Sequence, residues 1–136
     1  MEKTKIYEFD PVIYPFRLYV AVMPTFDECD SRFYFLDYDD EVVDDAEKEF
    51  TRSSSSIATT FVVSNREDGW KGCLVAIWKR SQCGAGVCAH EATHVYDYVD
   101  NSLGLNCNTF ASGEPKAYLV QWITNQIYSV LKGKTK

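Results

Sequence analysis

Residues 59–79 read TTFVVSNREDGWKGCLVAIWK, two runs rich in β-branched and apolar residues on either side of Asn65–Gly69. Asp68-Gly69 in that gap is a hairpin signal, because glycine takes the positive φ that such tight turns require. Upstream, VIYPFRLYVAVM (12–23) has the same β-rich make-up, and Pro15 near its start puts its first part at an edge or a bulge. A further strand is expected at Arg32–Leu36. Downstream, SQCGAG (81–86) breaks the strand pattern with two glycines, and helical spacing takes over. Val87 to about Asn101 reads as one helix with Gly104 as its terminator. Glu114 to about Leu131 reads as another, with Leu119, Val120, Ile123, Ile127, Val130 and Leu131 recurring at helical spacing. Ser112 is its expected N-cap, and Pro115 is tolerable in its first turn. Asp40–Thr51 fits either a short amphipathic helix or a solvated acidic loop. Strands, a hairpin and then two helices spell an α+β fold in one domain of 136 residues. The expected arrangement is a twisted, mostly antiparallel sheet over residues 1–80, a helix at 87–101 beneath it, and a C-terminal helix at 113–131.

Charge and composition narrow the function classes. The net charge of −6 is concentrated in DYDDEVVDDAEKE (37–49), where eight carboxylates meet one lysine and leave 13 basic against 12 acidic residues elsewhere. No basic patch offers a footprint for a phosphate backbone, so nucleic acid is not an expected partner. No stretch approaches the roughly 20 apolar residues of a membrane span, and MEKTKIYEFDP lacks the apolar run of a signal peptide. Five cysteines, an odd number without secretory context, read as reduced thiols in a cytoplasmic protein.

The chemistry sits in CAHEATHVYDY (88–98), which holds the only two histidines of the chain. His90 and His94 are four apart, so on a helix they project from one face about 40° apart and can both reach one ion. Glu91 lies about 100° round from His90, beside the pair, where its carboxylate can act as general base on a water activated by the metal. The plain alternative is a surface helix with two solvated histidines. A catalytic zinc usually takes three protein ligands. Beyond Asp100 the chain has one acidic residue, Glu114, which either supplies that third ligand from the following helix or merely favours the helix N-terminus.

His-Glu-Ala-Thr-His followed by a helix that begins with glutamate resembles the zincin metallopeptidases, in particular the gluzincin branch, over Trp70 to about Trp122. The resemblance implies Zn²⁺ bound by His90, His94 and Glu114, Glu91 as the base, and a peptide or protein substrate. It also implies that the strand at Gly72–Ile77, with Gly72, Leu74 and Ala76, is the edge along which an extended peptide pairs. The whole chain is more loosely similar to short zincin-like proteins of phages and mobile elements of gut bacteria. Asp100 stands where a related class of zinc peptidases has its third ligand, but Asp97 occupies the position of that class's turn glycine, so the helix continues and carries Asp100 away.

Other groups have assigned places. Asp97, near His90's meridian, can accept a hydrogen bond from an imidazole N–H. Glu114, Tyr118, Gln121 and Asn125 form one polar line, and if it faces the metal helix Tyr118 donates to the developing oxyanion. Cys88 should pack inward, whereas Cys83 on its Gly-rich loop could approach the ion and quench the site. The acidic run 37–49 reads as a solvated face or a repulsive gate near the cleft. An interaction protein with a structural metal, or with none, is the rival to the enzyme.

Overall fold

The computed structural model describes residues 3–107 and 109–133. In chain order the elements are β1 (Ile6–Phe9), β2 (Arg17–Val22), α1 (Phe26–Asp30), β3 (Phe33–Leu36), α2 (Ala46–Ser53), β4 (Ala58–Asn65), β5 (Lys71–Ile77), α3 (Ala85–Leu103) and α4 (Glu114–Leu131). Short 3-10 turns at Arg80–Gln82 and Phe110–Ser112 lead into the two long helices. The hairpin forms as its sequence requires. Asn65 Oδ1 accepts the N–H groups of Glu67 and Asp68 at 2.8 and 3.3 Å, and Gly69 takes φ 76° to close the turn.

The five strands form one mixed sheet in the order β1-β2-β5-β4-β3. Three pairings are antiparallel; β2 and β5 run parallel, with Arg17 opposite Gly72 and Val22 opposite Ile77. This corrects the reading of Gly72, Leu74 and Ala76 as an edge for substrate. β5 is the central strand, flanked on both sides, and Leu74 and Ala76 are fully buried. Gly72 is required for a different reason, since a Cβ there would stand 1.9 Å from the Arg17 carbonyl oxygen.

Alternation along the strands feeds two cores, one on each face of the sheet. Leu18, Val20, Cys73, Val75 and Ile77 meet α3 and α4 through Ala92, Val95, Val99, Ile123 and Ile127. On the opposite face Tyr19, Leu74 and Ala76 lie in a core with Phe33, Phe35 and Phe50. There Phe26, Phe35, Phe50, Phe61 and Trp78 form a network with ring centroids 5.0–6.1 Å apart.

The two long helices pack antiparallel. Lys116, in the first turn of α4, lies over the Tyr96 ring at 5.2 Å, while Arg80 donates to the Leu131 carbonyl at the far end at 2.6 Å. Gly104 ends α3 with φ 65° and an N–H bond to the Asp100 carbonyl. Two local expectations shift. The N-cap of α4 is Gly113, because Ser112 is held in a turn with Thr109. The helix sought at 40–51 begins only at Ala46, since Leu36 and Val42 pair as an antiparallel bridge and the carboxylates between them form a tight hairpin tip. Among the described residues no helix is long and apolar enough to cross a membrane.

Candidate metal centre

Helix α3 has a sealed flank and an open one. Cys88, Ala92, Val95 and Val99 are completely buried against the sheet and α4. His90, His94, Asp97 and Asn101, two residues out of phase with them, reach solvent. The two imidazoles turn toward each other, with Nε2 atoms 3.2 Å apart and ring planes 77° apart. Two nitrogens bound to one tetrahedral zinc at about 2.0–2.1 Å stand about 3.3–3.4 Å apart. The pair therefore fits one shared metal ion; the same separation closes a ring-to-ring hydrogen bond when one Nε2 is protonated.

Glu91 is the buried member of the group. Its side chain is 7 % exposed, and an isolated carboxylate at such a site is costly unless it is partnered. Thr60, on β4, donates from its hydroxyl to Glu91 Oε1 at 2.9 Å. Oε2 faces His90 Nε2 at 3.9 Å. One carboxylate oxygen is thus fixed by the sheet while the other is left beside the imidazoles.

These side chains open into a cavity of about 970 Å³ between α3, β4 and the hairpin tip at 37–40. The tip brings Asp37, Asp39 and Asp40 to the wall across from the histidines. Its geometry comes from Asp37 Oδ1, which accepts the N–H groups of Asp39 and Glu41 at 2.8 and 3.1 Å, and from Asp40 in the left-handed region at φ 60°. An ion pair of 3.3 Å from Lys71 to Asp40 ties the tip down over the sheet.

β3 covers only part of its neighbour. It pairs with Val62–Asn65 of β4 and leaves Ala58–Phe61 without a strand on that side among the described residues. Asn65 donates its N–H to Trp70 across the hairpin and Ile57 accepts from Trp78, so alternate residues between them bond toward β5. The intervening Ala58 and Thr60 turn their backbone groups outward, at the margin of the histidine cavity, and the Ala58 carbonyl accepts from Ser56 Oγ at 3.1 Å.

His90, Glu91, His94 and Asp97 thus come together on one cavity wall. Asp97 stands one turn beyond His94, but the imidazole contacts run between the rings and to Glu91 and not to it. Asp100 lies on the continuing helix and accepts the Asn106 N–H. Glu114 and Tyr118 do not join the group. Both are exposed on α4, outside the cavity lining, and the line Glu114, Tyr118, Gln121, Asn125 faces solvent because Leu119, Ile123 and Ile127 take the buried side. Among the described residues no three of histidine, cysteine, aspartate and glutamate gather as a metal site. Cys83 is outside the cavity lining as well; it is buried beside Cys88, and burial pushes its thiol up to about 12.

Thr60 and the open half of β4 were not anticipated. Thr60 has no local signature, since it meets Glu91 across 31 residues. The open edge had none either: it follows from the lengths of the strands as folded, eight residues in β4 against four in β3. Compared with family models, curated proteins and solved structures, the chain matches none.

Proposed function

We propose that this chain is a zinc-dependent peptide hydrolase built on a minimal zincin-like domain, with His90 and His94 as metal ligands and Glu91 as general base. The observation that carries the reading is the 3.2 Å separation of two imidazole nitrogens beside a buried, half-satisfied carboxylate. A zinc ion held there would supply Lewis-acid polarisation of a carbonyl and a lowered pKa for bound water. Glu91 accepts the proton of the attacking water at Oε2 and returns it to the leaving amine. Thr60 holds the other oxygen, so the carboxylate is oriented without being locked in an ion pair. The peptide pairs as an added strand with the outward backbone of Thr60 and the Ala58 N–H, a mode that needs only an uncovered edge. Glu114 is left out of the ligand set on account of its exposed place on α4. The reaction belongs in the cytoplasm, a setting consistent with five cysteines that are all unbridged thiols.

The absence of a third ligating side chain beside the pair, among the described residues, favours a second reading: a virion or regulatory interaction protein with a structural or vestigial metal site. Glu91→Gln separates the two. As a hydrolase, the wild-type chain with zinc cleaves members of a broad peptide library followed by mass spectrometry. The variant keeps its zinc and loses about 10²- to 10⁴-fold in rate. Wild type and variant behaving alike across the library rules out hydrolysis.

A further inference from the structure

The open half of β4 is bordered by two different cavities, one on each face of the sheet. On the α3 face lies the histidine cavity, whose lining includes Asp37, Asp39, Asp40, Glu91 and Asp97, of which Asp40 is already paired with Lys71 at 3.3 Å. On the α2 face lies a smaller one of about 300 Å³, walled chiefly by Phe35, Leu36, Val43, Ala46 and Phe61. Both are lined by Asp37, Tyr38, Thr59, Thr60 and Val62, so they meet along this one strand edge.

A strand added to that edge directs successive side chains to opposite faces of the sheet. Every second residue therefore enters the carboxylate-lined cavity, and its neighbours enter the apolar one. Two further observations point to a cationic occupant on the α3 face. Glu91 is buried there with Oε2 free of any hydrogen bond. Tyr38 sits among the tip carboxylates, 96 % exposed and unused by the core, where its ring can cover a guanidinium or ammonium group.

We propose that the site selects extended segments of basic proteins in which lysine or arginine alternates with a large apolar residue. This rests on the reading of the cavity as a peptide site and adds the side chains that the site prefers. The carboxylates recognise charge, the small apolar cavity fixes register, and the strand edge supplies affinity that is independent of sequence.

The test is fluorescence anisotropy on the full wild-type chain without metal, so that Glu91 keeps its charge and binding is read apart from cleavage. The probes are labelled heptapeptides: lysine alternating with leucine, glutamate alternating with leucine, lysine alternating with serine, and a peptide with lysines and leucines in two blocks. The alternating lysine–leucine peptide should bind about tenfold more tightly than each of the others and weaken as salt rises. Adding Asp39→Asn and Asp97→Asn, both at exposed positions, should erase most of the preference for lysine over glutamate. Equal binding of the alternating and block peptides, or equal binding of the lysine and glutamate series, overturns the proposal. If the preference appears but wild type with zinc cleaves none of the peptides, hydrolysis falls and this inference stands. Cleavage that ignores sequence does the reverse.

Discussion

The two flanks of α3 follow opposite rules, although one helical repeat produces both. On the sealed flank, Cys88, Ala92, Val95 and Val99 are fully buried and take their identity from packing. On the open flank, His90, His94 and Asp97 face a cavity and have no packing duty. Glu91 lies at the seam between them, buried like the first set and aimed like the second. A helix whose only duty was to cover the sheet would place no carboxylate at that seam. The contrast is therefore chemical, and stability and metal affinity should separate along it.

The largest effect is expected where the flanks meet. Thr60→Val keeps the shape of the side chain but removes the donor to Glu91 Oε1 and leaves a buried carboxylate oxygen unpaired. Urea denaturation should show a loss of up to about 3 kcal/mol, accompanied by slower peptide cleavage. Unchanged stability would mean that Glu91 is solvated by another route. On the sealed flank, Val95→Ala should cost about 2 kcal/mol in the same assay, from the lost apolar contact and the space left behind. Zinc affinity should not move; if it did, the two flanks would not be independent. Smallest of all, Glu114→Gln and Tyr118→Phe should each change stability by no more than about 0.5 kcal/mol and leave zinc binding intact. Loss of zinc with Glu114→Gln would restore that glutamate as a ligand and require α4 to dock differently.

The helices and the hairpin were legible because each is carried by a local signal. Leu119 to Leu131 repeats at helical spacing, Gly104 terminates α3, and Asp68-Gly69 turns the chain. β1 and α1, of four and five residues, are too short for any periodicity to establish. The place of β5 in the sheet depends on its parallel pairing with β2 across more than 50 residues, which no local pattern reports. A hint was present: KGCLVAI is apolar almost throughout instead of alternating, as a strand covered on both faces should be. The site divides in the same way. His90, Glu91 and His94 are fixed by spacing within one helix, so the sequence alone brings them together. The fate of Glu114 and Tyr118 depended on which face of α4 the core would take. The apolar residues settled that, since Leu119, Ile123 and Ile127 claim the inner face and turn the polar line outward.

The proposed metal-binding role of the histidine pair is tested most directly by calorimetric titration of zinc into the full chain, with His94→Ala alongside. The expected result is one zinc per wild-type chain and no measurable binding at the same site once the second imidazole is gone. Zinc that fails to bind the wild type, or that binds the variant equally well, would show that the 3.2 Å approach of His90 and His94 is a hydrogen bond between two surface rings and nothing more.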